Sequence, residues 1–263
     1  MSSTSLCMER CGRWAVGAAS VLTVFGIWYG ATTLQWLSPG FVPELPAVFS
    51  ALVHLANSGE LAQNMGATIA TSLLGYGVGL ALGVTLGLFM AVSPQANGFF
   101  SPLVRSTYSL PKTTLIPLLV LWFGVGGMTN IIVIAITAML PLVVYTHRGT
   151  AETPKVLVWS ALSLGTRRRD IMWRVLLPAA MPSILTGARV AWGFTLLVAI
   201  SCEMIVSNLG IGRLIFQYGD QGSYDYMFAA LFATIVVAYF FDAALRRFSR
   251  FALRWHETAH SHA

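Results

Sequence analysis

Long apolar runs separated by short polar stretches set the pattern of this chain. Six runs, near residues 14–34, 65–92, 101–123, 129–146, 179–205 and 226–245, are each close to the roughly 20 residues that a helix needs to cross a hydrocarbon core about 30 Å thick. Charges interrupt the third and fifth runs, so their ends are the least sharply defined. The pattern predicts an all-α, polytopic membrane protein with about six transmembrane helices. Its parts are a tail over 1–13, one transmembrane domain over 14–250 and a tail over 251–263. No internal repeat or low-complexity linker divides the domain.

Within the runs, small residues and prolines carry further information. Gly75, Gly79, Gly83 and Gly87 fall four apart in the second run, a small-residue ridge that lets another helix backbone approach closely. The same ridge could serve as a moving or substrate-lining surface. Pro111 and Pro117 flank Lys112 in the third run, and Pro141 lies in the fourth. Such prolines free backbone carbonyls and kink a spanning helix. Between the first two runs, Pro39, Pro43 and Pro46 exclude a continuous helix, while Ala47 to Ala56 can form a short amphipathic helix along the membrane surface.

Only 10% of the 263 residues are charged and 56% are hydrophobic, against about 25% charged in a typical soluble domain. Water is therefore not the main solvent. The net charge of +6 could suggest nucleic acid, but its placement points to the membrane. With the N-terminus inside, Arg10, Arg13, Arg105, the bases of the loop at 147–178, and Arg246, Arg247, Arg250 and Arg254 are all cytoplasmic. The external segments keep only Arg213, beside Glu44, Glu60, Asp220 and Asp225. This positive-inside bias predicts a multi-pass protein with both termini cytoplasmic. The basic N-terminus followed by an apolar run could also be a signal peptide. The run is long and has no clear cleavage site, so an uncleaved first span is expected. Cys7, Cys11 and Cys202 make no disulfide framework, and His256, His260 and His262 read as a solvated tail without a metal shell.

The polar loop at 147–178 is the segment that asks for a function. It holds Arg148, Lys155, Arg167, Arg168, Arg169 and Arg174, yet its centre reads Trp159-Ser160-Ala161-Leu162-Ser163-Leu164-Gly165. Thr153 is a candidate N-cap, Pro154 suits the first helical position, and Gly165 suits the stop. The enclosed helix would be about 16 Å long, too short to span. Leu157, Ala161 and Leu164 share one face. A second turn from Thr166 leads to Leu177-Pro178, where the chain re-enters the bilayer. A short apolar helix in a basic cytoplasmic loop is a surface for a soluble partner. No G-x-x-x-x-G-K-[ST] phosphate loop exists, and the only lysines are Lys112 and Lys155. Any ATP-driven work must therefore be powered by another chain.

Ser160 to Gly165, followed a dozen residues later by Leu177-Pro178, resembles the EAA loop of ABC importer permeases. The likeness extends along most of the chain. Phe41 to Val48 resembles the family's proline motif after the first span. Pro111-Lys112 through Ile116-Pro117-Leu118, Leu121 to Gly126, Gly187-Ala188-Arg189, Glu203-Met204-Ile205 and Leu209 to Gly212 resemble the nitrate/sulfonate/taurine branch. Two positions depart from the loop motif: Trp159 stands where the family carries glutamate and Ser160 where it carries alanine. A tryptophan there must act by packing instead of charged hydrogen bonding. Thr71 stands where relatives often carry arginine.

The resemblance implies a type I ABC importer permease fold in the bacterial inner membrane. It implies that Trp159, Ser160, Ala161, Leu164, Gly165, Leu177 and Pro178 couple to a cytoplasmic ABC ATPase. Two ATPase copies, a second permease copy (a homodimer) and an external substrate-binding protein would complete the assembly. The permease would bind no cofactor and catalyse nothing itself; ATP and magnesium would belong to the ATPase. The cargo implied is a small anion such as a sulfonate, taurine or nitrate, with a vitamin precursor as the alternative.

Three charged residues are candidates for the substrate path: Arg189, Lys112 and Glu203. Arg189 lies eleven residues beyond Pro178, about 16 Å along a helix, near the bilayer middle where a charge needs a partner or water. It could attract an anion, or make a structural bond to a neighbouring span. Asp242 and Lys112 are expected toward the inner boundary, and Glu203 near the outer one, too far for a pair with Arg189. A rival reading is an ion-coupled secondary transporter using Arg189 and Glu203 as a charge relay. It would be independent of ATP.

Overall fold

The computed structural model describes residues 19–34 and 40–254, with Arg168 described by its backbone alone. The outermost tails, with Cys7, Cys11, Arg10, Arg13 and the three tail histidines, lie outside the described residues. Helices follow one another along the chain: α1 (19–33), α2 (Leu45–Asn57), α3 (Glu60–Val92), α4 (Pro94–Ser109), α5 (Ile116–Phe123), α6 (Gly127–Ala151), α7 (Lys155–Ser163), α8 (Arg168–Ile171), α9 (Leu177–Val206), α10 (Ile211–Asp220) and α11 (Tyr224–Ala252). No strand occurs among the described residues.

Four helices among the described residues are long and apolar enough to cross a membrane: α3, α6, α9 with the turns before it, and α11. They coincide with the second, fourth, fifth and sixth expected spans. The first expected span is represented by α1, whose Phe25 stacks on Phe232 of α11 and whose Trp28 meets Phe228 edge-on and Phe232 at a tilt. The third does not form as one helix. α4 stops at Ser109, a 3-10 turn covers Lys112–Leu115, and α5 begins at Ile116. Pro111 is the cause, because a residue preceding proline is pushed out of the helical region, and Leu110 sits at φ −76°, ψ 138°.

The centre of the molecule is the seam between α3 and α6. A Cβ at Gly75, Gly79, Gly83 or Gly87 would lie within 2.6–2.7 Å of Ile134, Ala135, Leu142 or Thr146. That is closer than carbon or oxygen atoms approach, so the ridge is a packing surface occupied along its length by α6. α9 packs against α6 by the same device, and touches α3 as well through Tyr76. Gly149 faces Ser183, and Gly187 faces Tyr145, with Cβ positions 2.5 and 2.6 Å from those side chains. Pro141 is buried and α6 runs through it.

The expected amphipathic helix is α2. Pro46 opens it, and Val48, Ala51 and Leu55 form its buried face against Ala229, Tyr218 and Tyr226. α10 was not expected; its segment read as an external loop.

Candidate functional site

The loop between α6 and α9 is built by local rules. Thr153 does not cap α7 as its position suggested. Its hydroxyl donates back to the Gly149 carbonyl at 3.2 Å, inside the end of α6, the competing bond open to a threonine one turn after a helical carbonyl. Pro154, extended at φ −56°, ψ 125°, is the N-cap of α7.

The end of α7 is a complete Schellman closure. The Thr166 N–H donates to Ala161 O at 3.0 Å, and the Gly165 N–H donates to Leu162 O at 2.9 Å. Gly165 has φ +82°, a conformation that favours glycine. The Ala161–Gly165 spacing thus has a physical cause: one supplies the receiving carbonyl in a half-buried place, and the other reverses the chain. Ser160 O also accepts from Leu164 N at 3.1 Å.

α7 buries no residue. Leu164 is 86% exposed and Trp159 61%, while Val156 and Leu157 are also exposed. Lys155 at the start of α7 and Arg167, Arg169 and Arg174 after it are likewise exposed. The following turn starts at Arg167 instead of Thr166. It widens into a π turn over Met172–Leu176, where Leu177 N–H reaches Met172 O. Pro178 has no N–H to offer Arg174 O, so the ordinary helical ladder is interrupted where α9 begins. Leu177 and Pro178 are half-buried there.

The three path candidates share no hydrogen bond or ion pair with one another. Arg189 Nη2 stands 3.4 Å from Asp242 Oδ1, and Arg246 holds the other carboxylate oxygen. The pairing of Arg189 with Asp242 was not read from sequence; α9 and α11 bring the two side chains together. This triad of two cations and one anion is 38–41% exposed. Lys112 Nζ donates to Tyr108 O and lies 5.1 Å from the Tyr108 ring centre.

Glu203 is 1% exposed, enclosed by protein and not facing an open path. Its Oε2 accepts from Thr68 Oγ1 at 2.8 Å and from Gly212 N at 3.0 Å. Asn64 Oδ1 accepts from Gly210 N, and Thr68 Oγ1 from Ile211 N. Three side chains from α3 and α9 therefore satisfy three successive backbone donors at the start of α10, where a helix leaves its N–H groups open. Gly210 and Gly212 are needed for this approach: a Cβ at either would come within 2.4 Å of Glu203 Cδ or Ile200 O. A charge relay from Glu203 to Arg189 has no contact to run through. The two are fourteen residues apart on one helix, about 21 Å, and each has other partners.

Asn64, Thr68, Asp242 and Arg246 were missed from sequence. Only the last two left a signal, an i, i+4 acid–base pair near the end of an otherwise apolar run.

Residues 83–254, which take in the loop, the triad, Glu203 with the start of α10 and the later part of the seam, match the family described as binding-protein-dependent transport system inner membrane component. The chain belongs to this family. It is a permease subunit of ABC importers, and ATPase activity resides in a separate subunit. The taurine transport system permease protein TauC of Escherichia coli is 28% identical over 247 residues, covering 92% of this permease and 89% of that relative. The putative aliphatic sulfonates transport permease protein SsuC of Escherichia coli is 30% identical over 237 residues, covering 90% of each chain. Among solved structures, a chain of the inward-facing MetNI methionine ABC transporter superposes with a TM-score of 0.62 at 20% identity, over 71% of this permease and 93% of that chain. The permease therefore has the type I ABC importer fold.

Proposed function

We propose that this permease forms the translocation path for a small sulfonate-type anion, with taurine as the representative cargo, and that α7 is its docking element for a cytoplasmic ABC ATPase. The bareness of α7 carries the reading: an apolar helix with no buried residue, fixed in shape by a Schellman closure, is a surface awaiting a partner. Exposed apolar area of this kind marks an interaction site. Trp159 offers a large flat contact in place of a carboxylate. The relatives named for taurine and aliphatic sulfonates support the cargo class, as does the net positive triad at Arg189.

The full assembly is two copies of this permease, two ATPases and an external binding protein, in a bacterial inner membrane with both permease termini cytoplasmic. ATP and magnesium act in the ATPase. Lys112 and Glu203 support the path from outside it, through backbone and helix-end bonds. The test is Leu164→Asp in vesicles carrying the permease, its ATPase and its binding protein. Membrane insertion and melting temperature remain unchanged, while the ATPase is released and taurine uptake stops. Retained ATPase on the variant would remove α7 from the docking role.

A further inference from the structure

A second feature lies where α3 ends, α4 begins and α6 approaches its last turn. A cavity of about 370 Å³ opens there, within the size range of small-ligand pockets. Met90 is close to the end of α3, and His147 and Arg148 are within about one turn of the end of α6. Helices that span a bilayer finish at its surface, so the cavity lies at a membrane interface.

Its walls are of two kinds. Met90, Val104, Val143 and Val144 give an apolar floor, while Arg105, His147, Arg148 and Glu152 give a charged rim. Glu152 is already engaged, accepting from Arg148 Nε at 2.7 Å. Among the described residues, Arg105 makes no ion pair, so its guanidinium and the His147 imidazole are the available donors. The occupant must therefore bring an anion for Arg105 and His147 and an apolar portion for the floor.

We propose that this cavity binds an anionic phospholipid of the phosphatidylglycerol type. The phosphate meets Arg105 and His147, and an acyl chain lies along Val104, Val143 and Val144. Basic pockets between spanning helices bind acidic headgroups by this combination. The site is separate from α7 and from the Arg189 triad, and it does not depend on the cargo.

The experiment uses the full-length permease with its ATPase in phosphatidylcholine nanodiscs, titrated with phosphatidylglycerol, and counts lipid retained after washing by native mass spectrometry. The wild type retains phosphatidylglycerol in preference to phosphatidylcholine. Arg105→Gln weakens retention about fivefold. Val144→Trp, which fills the floor from a partly exposed position, weakens it without removing a charge. Equal retention by wild type and both variants overturns the site, as does equal retention of phosphatidylcholine. Displacement by inorganic phosphate at the lipid's own effective concentration overturns the lipid assignment in favour of a soluble anion. Should Arg105→Gln fail to assemble, the Val144→Trp and phosphate competition measurements decide alone.

Discussion

The α3–α6 seam and α7 are written in similar residues and end in opposite states. In the seam, glycines at every fourth position of α3 meet Ile134, Ala138, Leu142 and Thr146 of α6, and no room is left for even a Cβ. In α7, none of the alanine, leucine, valine and tryptophan residues is fully buried. Both surfaces are apolar, so hydropathy does not separate them. What separates them is whether the partner belongs to the same chain. In a bilayer, helices associate through close packing because lipid is as apolar as leucine, and the seam achieves that internally. α7 stands in a basic loop, where apolar surface is costly to leave open, and in the proposed docking its complement comes from another protein.

The largest effect comes from breaking the seam. Gly83→Val would place a Cβ 2.6 Å from Leu142 Cβ and 2.8 Å from Met139 O. Overpacking of this kind costs about 3 kcal/mol, and here backbone atoms cannot rotate away. The expected outcome is a strongly lowered melting temperature in detergent and poor recovery of folded permease. Gly77→Val is the matched control: on the same helix, its Cβ meets nothing within 4 Å, and it should melt close to wild type. Equal losses in both would attribute the effect to helix propensity instead of the seam.

The seam was legible because it rests on spacing within one helix. Gly75, Gly79, Gly83 and Gly87 repeat at four, and that period alone implies a close neighbour. The stop at Gly165 was legible for a similar reason, since a glycine after an apolar run of helical length marks a left-handed cap. Features that depend on two distant segments were not. α10 fell within a segment read as external, and its start is made by Asn64, Thr68 and Glu203 from two other helices. The Arg189–Asp242 contact required comparing depths along α9 and α11 counted from opposite ends. Thr153 was misassigned because one hydroxyl had two local partners, and the sequence does not say which one wins.

A smaller change sharpens the α7 side of the comparison. Gly165→Ala adds a methyl to open space, with nothing within 4 Å, at φ +82°. The cost is therefore one of backbone conformation, about 1 kcal/mol, and it falls on the Schellman closure alone. Global melting should be nearly unchanged, because no residue of α7 is fully buried. Docking of the ATPase should weaken about fivefold, the same energy expressed as a binding ratio. A drop in melting temperature comparable to that of Gly83→Val would mean that the loop is part of the folded core, and the contrast between the two regions would fail.

The Arg189 triad stands between these extremes, being paired and yet about two-fifths exposed. Ion pairs this open contribute less than about 1 kcal/mol, and Asp242 keeps Arg246 when Arg189 is lost. Arg189→Gln should therefore leave melting temperature and ATPase docking nearly unchanged, the smallest structural effect of the set. Its consequence belongs to transport. Without Arg189 the remaining Asp242–Arg246 pair is neutral, and the proposed sulfonate cargo would lose a charge-assisted bond, which is worth about tenfold in apparent affinity. Initial rates of taurine uptake over a concentration series check this, with a raised KM at constant permease level as the expected result. Unchanged KM together with unchanged stability would make the triad a contact between α9 and α11 only. The path would then have to be sought among the polar groups left without partners on α3 and α9, where Ser72 Oγ and Thr195 Oγ1 are buried and unpaired.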